Sequence, residues 1–176
     1  MDVISTERLI LRHMEAGDAA FILALLNDAD FLRFIGDKGV RDLEGALGYI
    51  QTACHEAFER HGIGMMMVER TDTGAHAGIC GLLNRDYLDN PDIGFAFAKD
   101  HRGAGLASEA VRATLEHGFD SLGYSVLTAI TDPENTASRR LLERADMEFV
   151  GMMSVPHAET EVCYYELTKD AAANER

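Results

Sequence analysis

Between Phe95 and Ala110 the chain reads "FAFAKDHRGAGLASEA": an apolar strand-like run, a basic turn carrying Gly103 and Gly105, then a helical sequence. Where a strand gives way to a helix across two glycines, unpaired backbone N–H groups and the positive end of the helix dipole face the same way, which suits an anion. Glycine lacks Cβ, so a phosphate can approach the main chain closely. Lys99, His101, Arg102 and Arg112 surround the turn with positive charge in a chain whose net charge is −14. The pattern fits a polyphosphate; a plain tight connection is the alternative reading of two glycines alone. A Walker loop does not fit, because no lysine follows either glycine. The dinucleotide fingerprint wants a third glycine where Ser108 stands, and wants it near the start of a doubly wound sheet.

Other chemistries find less support. The histidines are scattered, and Cys54, Cys80 and Cys163 are widely spaced without a C-x-x-C pair, so neither a metal site nor a disulfide framework is expected. The nucleophile-elbow pattern G-x-S-x-G is missing. The acidic balance argues against non-specific binding to nucleic acid or an anionic membrane, since both need basic surface. No run approaches the ~20 apolar residues of a membrane span, and Met1-Asp2-Val3 opens no signal-like segment, so a cytoplasmic location is expected.

The elements that must position the glycine turn follow from periodicity. At 176 residues, 47% of them hydrophobic, the chain is sized for one domain, expected over residues 1–170 with a frayed tail at 171–176. A strand at Leu9 to Arg12 precedes a helix with Phe21, Ile22, Leu25 and Leu26 on one face and Asp18 placed to cap it. A second helix runs from about Asp42 to His61. The segments "GIGMMMVER", "AHAGICGLLN" and "DIGFAFA" read as strands, and Leu106 to Leu122 has helical period. Then come the strand "YSVLTAIT", a helix in "DPENTASRRLLERA" with Asp132 as cap and Pro133 at its first position, and the strands "FVGMMSV" and "VCYYELT". The expectation is an α/β (α+β) single domain: a mixed, mostly antiparallel sheet of about seven strands flanked on both sides by about four helices.

With its surroundings, the turn resembles the acetyl-coenzyme A loop of the GNAT superfamily of N-acetyltransferases, whose signature [QR]-x-x-G-x-[GA] reads here as Arg102, Gly103, Ala104, Gly105, Leu106 and Ala107. "STERLILRHMEAGDAAFILALLND", "NPDIGFAFAKDHRGAGLASEA" and "NTASRRLLERADMEFVG" resemble, in order, three segments of the branch containing the Rim-type ribosomal-protein N-terminal acetyltransferases. The resemblance implies the acyl-CoA N-acyltransferase fold with splayed central strands. It implies that backbone amides from Gly103 to Ser108 hold a pyrophosphate, that Phe95, Ala96 and Phe97 pair with the pantetheine arm, and that Asn135 reaches that arm. It further implies acetyl transfer from acetyl-CoA to a primary amine, by direct attack in a ternary complex, in a monomer or homodimer.

The proton steps are assigned within that resemblance. Asp92 stands where relatives often carry Glu and is the candidate base; a solvent-exposed residue of the "DNPD" turn is its other reading. The tyrosine that serves as acid in many relatives falls at Leu142, which leaves Ser138 as the candidate acid and Tyr124 and Tyr164 as alternatives. The family's L-G-F is replaced by Ala145-Asp146-Met147. Asp28, Asp30, Glu159 and Glu161 can attract a cationic acceptor or simply be solvated, and the acceptor is either a protein N-terminus or a small amine. A non-catalytic module that binds coenzyme A as a sensor or scaffold is the alternative function.

Overall fold

Alternation along the central strands divides the apolar side chains between two faces of one sheet, and each face collects its own helices. The computed structural model describes residues 3–156 and 158–170; the expected tail at 171–176 lies outside them, as does His157. The strands are β1 (Ile4–Ser5), β2 (Leu9–Arg12), β3 (Met65–Arg70), β4 (His76–Leu83), β5 (Asp92–Phe97), β6 (Val126–Thr131), β7 (Glu148–Met153) and β8 (Val162–Thr168). The helices are α1 (Ala19–Leu26), α2 (Ala29–Phe34), α3 (Leu43–Ile50), α4 (Ala57–His61), α5 (Leu106–Asp120) and α6 (Thr136–Arg144). A stretch of wider, π-type turns at Gln51–Glu56 joins α3 to α4, so the expected helix from Asp42 to His61 is one continuous body. Compared with the sequence expectation, β1 and α2 are additional.

The sheet order is β1-β2-β3-β4-β5-β6-β8-β7, and among the described residues the only parallel pair is β5 with β6. Met66, Val68, Cys80 and Leu82 pack on one face with Val111, Leu115 and Phe119 of α5; Met65, Met67 and Ile79 pack on the other with Ile22 and Leu26 of α1 and Ile50 of α3. Burying both faces explains why "GIGMMMVER" is apolar nearly throughout.

Two caps differ from expectation. Asp18 does not cap α1; its carboxylate takes a bidentate ion pair from Arg12 at 2.9 and 3.0 Å and accepts the Glu15 N–H at 2.8 Å. Asp132 caps only the turn before α6, accepting the Glu134 N–H, while Asn135 is the N-cap and accepts from the Ser138 N–H at 3.1 Å. A helix beginning at Pro133 is therefore three residues too early. At the other end of α6 the Met147 N–H bonds the Leu142 carbonyl and the Asp146 N–H bonds that of Glu143, the pattern of a Schellman cap. Asp146 takes the left-handed conformation itself, φ 63°, in place of the family's glycine; aspartate is among the residues that tolerate it best.

Candidate functional site

β5 and β6 begin side by side and then part. Asp92 opposite Thr128 is their sole registered pair, with the Thr128 N–H bonded to the Pro91 carbonyl at 2.8 Å. On its other side β5 stays zipped to β4 from Asp92 to Phe97. Because the Ala98 N–H bonds the Ala77 carbonyl, alternation turns the N–H groups of Phe95 and Phe97 away from β4, toward the split.

The glycine turn closes one end of that split. Gly103 and Gly105 have φ of +82° and +78°, a region that side chains with a Cβ rarely enter, so the loop's course requires both glycines. Among the described residues, no backbone N–H from Gly103 to Ser108 has an acceptor; the first one used is that of Glu109, to Gly105 O at 3.1 Å. Six successive donors at the start of a fifteen-residue helix remain for an external anion. The loop is held from behind. Arg8 donates to the Ala104 carbonyl at 2.9 Å and to the Glu109 carboxylate at 2.6 Å, and that carboxylate also accepts the Thr6 hydroxyl at 2.6 Å and the Arg8 N–H at 2.9 Å. Partial burial opposes ionisation of Glu109, but these donors keep its carboxyl below the usual value.

A cavity of about 370 Å³ runs from this loop along β5, between α2 and α6. Phe95, Ala96, Phe97, Arg102, Gly103, Gly105, Leu106, Ala107, Ser108, Asn135 and Ser138 line it. The cations expected around the turn divide. Arg102 bonds the Phe97 carbonyl and is neutralised by Asp30 at 2.6 Å and Asp28 at 3.2 Å; Arg112 turns toward the end of α6, where it meets the Arg144 carbonyl and Asp146. His101 lines the cavity, as does Arg144, whose side chain has no ion-pair partner among the described residues.

A second cavity of about 640 Å³ is lined by residues of β5, α2 and α3. The two share Phe31, Ile35, Phe95 and Ala96, so they meet at the middle of β5. Tyr49, Thr52, Ala53, Lys38 and Arg85 line the second; Thr52 and Ala53 come from the widened turns, an irregularity frequent at functional sites. Burial pushes the Tyr49 phenol up to about 12, so it is neutral. Asp92 lies beneath Arg85, 1% exposed, with Oδ2 accepting from Arg85 Nε at 2.5 Å and Oδ1 without a hydrogen-bond partner. Desolvation pushes its pKa up to about 6, against the lowering by Arg85 and the Ile130 backbone. The solvent-exposed reading of Asp92 is thereby overturned, because its place at the start of a central strand buries it.

A family model described as the acetyltransferase (GNAT) domain matches residues 8–148. The chain belongs to that family. YoaA of Bacillus subtilis strain 168, an uncharacterized N-acetyltransferase, is 31% identical to this GNAT chain over 153 residues, 86% of this chain and 85% of its own length. Among solved structures, a GNAT-family acetyltransferase from Bacillus anthracis superposes with a TM-score of 0.81 at 24% identity, covering 96% of this chain and 99% of the other. RimL, a ribosomal alpha-N-protein acetyltransferase solved in complex with coenzyme A, superposes with a TM-score of 0.82 at 18% identity, covering 97% and 99%.

In this GNAT chain, of the residues expected to hold a cofactor, only Ala104 does not line the first cavity; it offers its carbonyl to Arg8 instead. Asp92 lines neither cavity, and neither do Tyr124 and Tyr164. Tyr164 donates to Glu166 at 2.7 Å, and Leu142 is fully buried in the core. Asp28 and Asp30 are taken up by Arg102 and do not line the second cavity. Sequence reasoning missed Thr6, Arg8 and Glu109 as the brace of the loop, and Lys38, Tyr49 and Arg85 as the lining of the second cavity. The first three had a signal: "TER" and "SEA" lie within quoted motifs, and they touch each other. Among the described residues, no helix is long and apolar enough to cross a membrane.

Proposed function

We propose that this GNAT domain moves the acetyl group of acetyl-coenzyme A to a primary amine by direct attack in a ternary complex. The observation that carries the proposal is the meeting of two cavities at Phe95 and Ala96 of β5: one can hold a cofactor along a row of free amides, the other an acceptor. The free donors from Gly103 to Ser108 fit a diphosphate, and a side chain at either glycine would demand a strained backbone there. Acetyl-coenzyme A supplies the thioester: a bond forms between the amine nitrogen and the acetyl carbon, the carbon–sulfur bond breaks, and an acetamide and a free thiol result.

Phe95 and Phe97 present N–H groups to the split, where one of them stabilises the negative charge that gathers on the acetyl oxygen. Asn135 caps α6 with Oδ1 and keeps its amide N–H₂ for the pantetheine arm. A lysine-type amine has a pKa near ~10.4 and an α-amine near ~7.7 to 8.0, so either must shed a proton to attack. Asp92, which lines neither cavity, accepts that proton through a water relay to Oδ1, the carboxylate oxygen that Arg85 does not engage. Ser138, on the wall of the cofactor cavity, returns a proton to the sulfur.

A panel of amines and N-terminal peptides incubated with acetyl-coenzyme A, read as free thiol, tests the proposal. Turnover of at least one amine, with loss of activity in Asp92→Ala, is the expected result. Coenzyme A binding without thiol release for any amine, and without effect of Asp92→Ala, is what the sensor alternative requires and would reject the enzyme reading.

A further inference from the structure

The charge of the second cavity is opposite in sign to that of the chain. Against a net charge of −14, its only charged lining residues are Lys38 and Arg85, and no carboxylate lines it among the described residues. Asp92 meets Arg85 from below through Nε alone, at 2.5 Å, and the Tyr87 ring lies 6.0 Å from the guanidinium carbon. The remaining guanidinium donors have no carboxylate partner among the described residues. Lys38 stands at the mouth with its side chain open to solvent and no ion pair. Partial desolvation, and then the nearby charge of Arg85, lower its pKa. With Asp92 ionised, the group carries one net positive charge.

We infer, building on the acetyltransferase reading, that the acceptor is an amine bearing a carboxylate, held at that end by Arg85 and Lys38 while its nitrogen reaches the transfer point at Phe95 and Ala96. Guanidinium and ammonium together match a carboxylate in charge and hydrogen bonding. A polyamine or aminoglycoside would bring cations to a cavity that already holds two and has no anion on its wall to receive them.

The lining narrows the class. The two cations and the shared residues Phe95 and Ala96 belong to one cavity. Between them the wall is apolar, with Phe31, Ile35, Met65 and Phe95, which suits a methylene chain or the backbone of a short acidic N-terminal peptide.

Matched pairs test this: 6-aminohexanoate against 6-aminohexanamide, and the peptide amides Ala-Asp-Ala and Ala-Asn-Ala, with spermidine as the cationic arm. Each is assayed by thiol release from acetyl-coenzyme A, and coenzyme A affinity is measured on every variant. The expected result is a kcat/KM about tenfold or more higher for the carboxylate of at least one pair, and the pair showing it distinguishes a small acid from a peptide. Lys38→Glu brings that ratio to one or below while coenzyme A affinity is kept. Arg85→Gln does the same where it folds, and Lys38→Glu, at the exposed mouth, keeps the test decisive where it does not. Equal turnover of acid and amide, or a preference for spermidine, overturns the inference and leaves the acetyltransferase reading standing. Coenzyme A binding with no thiol release from any of them overturns both.

Discussion

The two cavities that meet on β5 are built from different materials. The proposed cofactor side is made mainly of backbone: six free N–H groups in one short loop, strand N–H groups facing a split, and a brace of Thr6, Arg8 and Glu109 behind them. The proposed acceptor side is made of side chains brought from α2, the α2–α3 connection, α3 and the turns after it, and the β4–β5 connection, with Lys38, Tyr49, Thr52 and Arg85 as its polar side chains. A backbone site tolerates most side-chain changes that keep its glycines. A side-chain site changes its ligand with each substitution, which is how one fold serves many acceptors. Phe95 and Ala96 line both cavities.

Substitutions on either side can break this comparison. The largest effect belongs to the chemistry between them: Asp92→Asn should lower kcat/KM by about 10²- to 10⁴-fold, with coenzyme A affinity unchanged by calorimetry. The wild-type pH profile should rise as Asp92 loses its proton near pH 6, and the Asn variant should lose that limb. The folded pKa is raised from 3.8, so between about pH 4 and 6 the folded chain binds this proton more tightly than the unfolded one. The contribution of Asp92 to stability therefore falls as pH rises through that window, and Asp92→Asn removes that part of the pH dependence in a denaturant titration.

Gly105→Glu comes next and strikes only the backbone side. A strained φ near +78° and a carboxylate at the anion site should weaken coenzyme A binding by on the order of 100-fold, read by calorimetry. Arg8→Ala leaves the loop sequence intact but removes its brace. Because the Arg8 side chain is 46% exposed, the expected loss of coenzyme A affinity is modest, about three- to tenfold, and the ranking of acceptors should not move. An altered ranking would show that the two sides are not separable. The smallest effect is expected from Asp146→Gly, which relieves the left-handed residue after α6: a gain of about 0.5 kcal/mol, or roughly 1–2 °C in Tm, without change in either affinity.

The same contrast explains what could be read in advance. Strand and helix periods and the glycine loop were legible because each rests on neighbours in sequence: Phe95 to Ser108 is one uninterrupted run, whereas the split between β5 and β6 was expected only from the family resemblance. The brace was half legible, since Thr6, Arg8 and Glu109 sit in recognisable segments whose contact, across some hundred residues, only the fold reveals. The acceptor side was not legible. Lys38 and Arg85 are 47 positions apart with no motif around either; of the acidic residues offered for a cationic acceptor, Asp28 and Asp30 pair with Arg102, while Glu159 and Glu161 are exposed and line neither cavity. Helix α2, which walls both cavities, escaped notice because "ADFLRF" is too short to display a period.

A crystal structure of the protein with coenzyme A tests the central claim most directly. The diphosphate should lie within hydrogen-bonding distance of the N–H groups between Gly103 and Ser108, with the thiol at the junction by Phe95 and Ala96. A diphosphate bound elsewhere, or β5 and β6 zipped together beyond Asp92 and Thr128, would contradict it.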